Sequence, residues 1–271
     1  MSWLGVALLL AGAVFSHRYA WWRKAVDYRH PRILMYHMVS EHRPGARFNK
    51  LRVKPDRFEA QIRWLKENGW HFALMSELTD PALLPAKTVL LTFDDGFEDN
   101  YRNAHPILQK YGARATLYLV VDRFERDWST AKKAHHDSGE LMHEPKLSDA
   151  QVREMLASGC WELGGHTRTH ANLARLDTPG KRDEITAGRE LLQAQFGTAP
   201  SSFAYPFGIF DATDVRLAEQ AGFATAVTTV EGIDTDILNR RFELKRVKIS
   251  GKDNGLAFRL RLRTGVRGGR R

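Results

Sequence analysis

Between residues 32 and 249 the chain repeatedly sets a short apolar run ahead of a longer segment that is apolar on one side only. That alternation limits its fold more than any other feature. Arg32–Tyr36, Thr88–Phe93, Ala115–Val121, Trp161–Leu163, Ser202–Tyr205, Phe223–Thr228 and Leu244–Ile249 read as strands. Pro55-Asp56 opens a helix with Phe58, Ile62 and Leu65 on one face, closed near Gly69. Tyr101, Ala104 and Leu108 share a face of the next, ended by Gly112. Ser148 caps a third through Val152, Met155 and Leu156; Lys181–Phe196 is a fourth; Asp211 opens a fifth running to Ala221. Repeated β-then-α units imply a parallel sheet, with chemistry at the carboxyl ends of its strands, as in barrels. Residues 124–147, rich in Lys, His and Asp, break the alternation and read as an inserted loop beside that end. No linker marks a second domain. The expected organisation is an apolar N-terminal segment over 1–24, one α/β catalytic domain over 30–250 and a basic tail over 251–271.

A chain of 271 residues with 43% apolar content can bury a full core. The net charge of +9 is unevenly placed. Residues 17–32 carry a net +4 and residues 256–271 a net +6, which leaves about −1 for the body. A neutral body weighs against a nucleic-acid groove, and basic ends suit an anionic lipid surface better. Solubilising, frayed termini are the alternative for the C-terminal run. The single Cys160 cannot form an internal disulfide, and its neighbours Trp161 and Leu163 suggest packing rather than reactivity.

Trp3–Phe15 is a run of 13 residues without a polar side chain. Alone it covers only ~20 Å of a ~30 Å hydrocarbon core, but extended to Trp22 it reaches spanning length, with Trp3 and Trp21-Trp22 as interfacial anchors. No Lys or Arg precedes the run and no small-x-small cleavage site follows it, which weighs against a cleaved signal peptide. The positive residues follow it. The expectation is therefore an inner-membrane anchor with the catalytic domain on the cytoplasmic side; a periplasmic domain is the alternative.

Two stretches supply the parts of a hydrolytic metal site. Thr92-Phe93-Asp94-Asp95-Gly96 ends an apolar run with adjacent carboxylates, and His166-Thr167-Arg168-Thr169-His170 follows Gly164-Gly165. One Asp and two His can hold a divalent ion and leave positions open, with the second Asp free to act as a base on water. Consecutive strand side chains point to opposite sides, so Asp94 and Asp95 cannot do the same job while extended; a turn at Gly96 can bring both to the rim, one towards a metal and the other towards the attacking water. His166 and His170 face one ion if their segment is helical, and the glycines allow close backbone approach. Thr167 and Thr169 are local hydrogen-bond partners rather than ligands. Phe203-Ala204-Tyr205-Pro206-Phe207-Gly208 reads as a groove wall in which the Phe207 amide can donate to an oxyanion. Each stretch alone is a common structural element; the three together point to hydrolysis.

In content and order the three stretches resemble the polysaccharide deacetylases of carbohydrate esterase family 4, whose catalytic unit is the NodB-homology domain. The resemblance covers roughly residues 30–250. It implies a distorted (β/α) barrel and removal of acetyl groups from N-acetylated amino sugars. Carried over by motif, Asp94 is the general base, Asp95, His166 and His170 are the metal ligands, and the Phe207 amide belongs to the oxyanion hole. The implied metal is zinc, with cobalt, nickel, manganese or iron as alternatives. Two departures stand out. An Arg that pairs with the base in many members is replaced by Ala204, and the late Leu-x-His motif that supplies the acid is absent from Arg246–Ser250. The early Met35-Tyr36-His37 looks instead like the poly-N-acetylglucosamine deacetylase subgroup, in which a His after the first strand stands in for the missing acid. His37 is therefore the candidate acid. The expected substrate is an N-acetylated cell-envelope glycan or glycolipid, with lipopolysaccharide core or a lipid-linked sugar favoured over an exopolysaccharide or peptidoglycan. A catalytically silent glycan-binding protein is the alternative from another class, and the intact Asp94-Asp95 pair argues against it.

Overall fold

The computed structural model describes residues 3–124 and 139–268. In chain order its strands are β1 (Arg32–Tyr36), β2 (Met38–Val39), β3 (Arg52–Val53), β4 (His71–Ala73), β5 (Thr88–Asp95), β6 (Ala115–Leu119), β7 (Trp161–Gly165), β8 (Ser202–Ala204), β9 (Thr225–Glu231) and β10 (Leu244–Lys248). The helices are α1 (Trp3–Tyr19), α2 (Pro55–Glu67), α3 (His105–Tyr111), α4 (Asp149–Ala157), α5 (Thr178–Arg182), α6 (Gly188–Phe196), α7 (Ala212–Gln220) and α8 (Gly255–Thr264).

Seven parallel strands close into a barrel in the order β1-β10-β9-β8-β7-β6-β5, with β5 returning to β1. β1 is the closing strand: Leu34 stands beside Val247 on one side and Leu91 on the other. The unexpected β4 pairs with the first half of β5, whose second half pairs with β6. β4 therefore fills the foot of the barrel where β5 and β6 have diverged.

The period-two pattern sorts the core into layers. Ile33, Leu90, Tyr118, Ala204, Val227 and Leu244 pack together inside the barrel. Leu34, Val89, Leu91, Phe93 and Leu117 face outward onto Phe58, Ile62, Leu65 and Leu108 of the surrounding helices. The expected caps form. Ser148 accepts from the Gln151 amide at the start of α4, and Asp211 accepts from the Thr213 and Asp214 amides at the start of α7. The helix expected over Lys181–Phe196 starts earlier, at Thr178, and includes one π-helical turn over Asp183–Ala187.

Both termini differ from expectation. The N-terminal helix stops at Tyr19 rather than Trp22, because Ala20 takes a left-handed φ of 43° and is buried. The chain then runs back along the body, with the Trp21 carbonyl accepting from Arg263 and the Val26 amide donating to the Arg263 carbonyl. Among the described residues no helix is long and apolar enough to cross a membrane. At the other end, the stretch expected as a basic tail folds as α8. Phe258 and Leu262 join the outer core, and Arg261 is buried against Asp253 at 2.7 Å. Apolar residues at 258 and 262 supply the four-residue spacing that lets an arginine-rich helix bury one side.

The inserted loop is described at Phe124 and from residue 139 onward; the remainder of it lies outside the described residues. Its second part lies beside the carboxyl ends of the strands, where Leu147 and Glu98 donate backbone hydrogen bonds to Gly96 and Pro145. The fully buried Arg52 holds it there through Glu144 (2.7 Å) and Glu140 (3.2 Å).

Candidate metal centre and catalytic site

β5 delivers both carboxylates to the barrel rim and then turns sharply. Asp95 has φ 80° and Gly96 φ 81°, so the turn begins one residue earlier than the glycine alone suggested. A left-handed Asp is costly, about 1 kcal/mol or more, and such residues persist where surrounding structure fixes them. Thr167 (φ 63°), His170 (φ 58°) and Phe207 (φ 60°) share this conformation at the same rim. The result is that Asp94 continues the inward strand side and Asp95 is swung towards the histidines.

The two imidazoles are gathered by a turn and not by a helix, contrary to the helical expectation. His166 directly follows β7 and the next four residues are irregular. The Thr167 hydroxyl accepts the His170 amide at 2.9 Å, and the Thr169 amide and hydroxyl both donate to Glu184. Thr167 is the local hydrogen-bond partner expected, whereas the partner of Thr169 lies 15 positions along the chain. The glycines before the turn are needed for close packing: a Cβ on Gly164 would lie 2.4 Å from Tyr118, and one on Gly165 2.9 Å from Phe223.

One Asp95 oxygen lies 3.3 Å from Nε2 of His166 and 3.3 Å from Nε2 of His170. An ion held tetrahedrally at about 2.0–2.1 Å from each donor requires donor separations of about 3.3–3.4 Å. These residues fit a divalent metal. The second ring nitrogen of His166, Nδ1, donates to the Ala204 carbonyl at 2.7 Å, which leaves the Nε2 lone pair for the ion. Burial acts to raise the Asp95 pKa, but the hydrogen bonds from His166 and His170 outweigh it and hold the carboxyl well below the usual range. Burial pulls His170 down, whereas the same carboxylate holds His166 up against burial.

Asp94 sits beside this cluster in a different setting. Arg246 on β10 grips both its oxygens, at 2.6 and 2.7 Å. The guanidinium is fully buried, with its Nε donating to the Thr228 carbonyl and a terminal nitrogen donating to the Thr92 hydroxyl. It also lies over the Tyr118 ring. Burial would raise the Asp94 pKa, yet the charge and hydrogen bonds of Arg246, followed by His37, keep it below the ordinary carboxylate value. His37, just past β1, has Nε2 3.8 Å from the same carboxylate. The buried Asn100 donates to the His37 carbonyl at 2.8 Å and so ties that residue to the turn after β5. The Phe207 ring meets His170 edge-on at 4.5 Å. All six predicted site residues therefore converge on one end of the barrel.

Sequence reading missed Arg246. A signal was present: an arginine between Leu244 and Val247 on a barrel strand is a candidate for burial, and a buried guanidinium needs acceptors, of which a carboxylate is one. Ala204, where the family resemblance implied an arginine partner for the base, carries no charge, and Arg246 reaches Asp94 from another strand.

Known proteins resemble this chain in sequence and in fold. The sequence profile of the polysaccharide deacetylase family matches residues 83–226. The Bacillus subtilis (strain 168) protein YxkH, which carries the polysaccharide deacetylase name, is 30% identical over 230 residues, covering 83% of this chain and 74% of that protein. The poly-beta-1,6-N-acetyl-D-glucosamine N-deacetylase of Staphylococcus aureus (strain MRSA252) is 28% identical over 182 residues, 63% of this chain and 58% of that enzyme. Among solved structures, the Streptococcus pyogenes deacetylase PplD, in complex with acetate, superimposes with a TM-score of 0.69 at 28% identity over 84% of this chain and 95% of that one. A Bacillus cereus polysaccharide deacetylase, BC0361, gives 0.73 at 27% identity over 86% and 69%. The family profile over residues 83–226, the 30% identity to YxkH and the shared barrel make this chain a member of the polysaccharide deacetylase family, carbohydrate esterase family 4, and an N-deacetylase hydrolase.

Proposed function

We propose that the protein removes acetyl groups from N-acetylglucosamine units of an envelope polysaccharide. Asp94 is the base, His37 the acid, and Asp95, His166 and His170 are the metal ligands, with zinc the resident ion. The observation that carries this reading is the unequal treatment of two adjacent carboxylates. Asp95 shares one oxygen between two imidazoles, while Asp94 is held by Arg246 and faces His37.

A divalent ion bound to the three ligands supplies positive charge that polarises an amide carbonyl and acidifies water. The remaining work falls to the chain. Asp94, kept ionised by Arg246, takes a proton from water as the water oxygen attacks the acetyl carbon. Arg246 fixes the direction of both carboxylate oxygens, so little reorganisation is needed at the moment of attack. The Phe207 amide donates to the oxygen that gains charge. His37 gives a proton to the sugar nitrogen as the carbon–nitrogen bond breaks, and acetate and a free amine leave.

The 28% identity to an enzyme named for poly-beta-1,6-N-acetyl-D-glucosamine supports a polymer of that sugar. The projecting apolar α1 favours a second reading, a glycolipid such as lipopolysaccharide core or a lipid-linked amino sugar. Acetate release from N-acetylglucosamine oligomers and from purified lipopolysaccharide core, each with and without chelator, tests both. Chelator-sensitive release from oligomers is expected. Release from neither substrate, with metal bound, would remove the case for amide hydrolysis on amino sugars.

A further inference from the structure

α1 is apolar on every side from residue 3 to residue 15, and none of its residues is buried. Trp3, Leu4, Leu8, Leu9, Leu10 and Val14 are each more than 60% exposed. A helix of this kind is not stable in water unless something covers it all round. A second helix or a protein groove covers one stripe; acyl chains cover the whole circumference. Its base is docked on α8, where the Tyr19 hydroxyl accepts from Asn254 and Arg263 donates to the Trp21 carbonyl.

On the other flank of α8 lies a groove of about 200 Å³ against α2. Arg57 and Arg63 of α2 and Arg259 of α8 line it, together with Gln61 and Trp64. Arg259 lies 5.5 Å over the Trp64 ring, which aims it along the groove wall. Its lining thus holds three arginines and two acids, Glu67 and Asp253, and Asp253 is bound to Arg261. Asn254 belongs both to the groove and to the α1 dock. α8 is only about 15 Å long, so the groove opens within headgroup reach of the level at which α1 leaves the body.

We propose that the α2–α8 groove binds the phosphate of an anionic phospholipid in the bilayer whose acyl chains receive α1. The two features act together: α1 supplies apolar insertion, and the groove supplies charge recognition at the headgroup level and fixes the barrel's orientation. This surface is separate from the deacetylase site and does not depend on that reading.

Flotation of the full-length protein with phosphatidylcholine vesicles, and with the same vesicles containing one-quarter phosphatidylglycerol, tests the proposal. The wild type is expected on both, more strongly on the anionic vesicles, with a preference that fades as salt is raised. Arg259→Gln should weaken binding to anionic vesicles about fivefold, and each further change at Arg57→Gln and Arg63→Gln by about the same factor. Binding to neutral vesicles should not change. Leu9→Asp should remove binding to both. A triple variant at Arg175, Arg182 and Arg216, which lowers net charge equally elsewhere, should change little. Equal losses in the two triple variants would mean diffuse charge alone and overturn the groove. Absence of wild-type binding to either vesicle would overturn the whole proposal. Acetate release from a soluble oligomer is expected to stay constant across the groove variants and reports folding; should the triple variant fail there, Arg259→Gln alone decides.

Discussion

Arg246 crosses the barrel from its last strand and closes a two-pronged hydrogen bond on Asp94, 152 positions earlier in the chain. Replacing it with Met leaves a buried carboxylate without its cation. A stability loss of about 3–5 kcal/mol is expected from that alone. The catalytic consequence is separable. Without Arg246, burial dominates and the Asp94 pKa rises, so proton uptake silences the base at a higher pH. The acid limb of kcat/KM should move upward, with activity at pH 6 falling more than activity at pH 8. An acid limb in the wild-type position would show that Asp94 is not the titrating base.

Neighbouring carboxylates should fail differently. Asp94→Asn is expected to bind metal as the wild type does and to lose about 10²–10⁴-fold in turnover, the range for a lost general base. Asp95→Asn should lose the metal itself, together with the rise in melting temperature that added zinc gives the wild type. Metal content after dialysis and acetate release, measured on both variants, check the assignment; matching metal contents would refute it.

His37→Ala removes the proposed proton donor without touching the three ligands. Turnover should fall about 10²-fold or more with metal content unchanged, and the loss should be smaller for an acetyl ester of the same sugar, whose leaving group needs a proton less. Unaltered amide turnover would return His37 to a packing role beside Asn100.

Asp99 offers a test on stability. Burial pushes its carboxyl up to about 6, despite a hydrogen bond from the Val39 backbone. The folded pKa lies above the unfolded one, so the folded state takes up the proton more readily. The favourable contribution is complete below about pH 4 and is lost as pH rises through 6. Asp99→Asn should therefore be more stable than the wild type at pH 8, by about 1–3 kcal/mol, and show a smaller fall in stability between pH 5 and 8. Denaturant midpoints at the two pH values measure both; a variant that tracks the wild type at each would contradict the buried-acid account.

Some of this molecule was written in adjacent residues. The strand-and-helix alternation, the Ser148 and Asp211 caps, the Asp94-Asp95 rim and the spacing of His166 and His170 could be read directly, because each depends on chain neighbours and on local hydrogen bonding. The short β4 escaped notice because three residues beginning with an exposed His71 carry no periodicity. The tertiary structure alone decided the rest. It turned the His pair with left-handed backbone at Thr167 and His170 where sequence spacing suggested a helix, and it ended α1 at Ala20 by drawing the chain onto α8. It also paired Arg246 with Asp94 across the closed barrel. A buried charge takes whichever counter-charge the fold brings within about 3 Å, and separation along the chain contains no record of that choice.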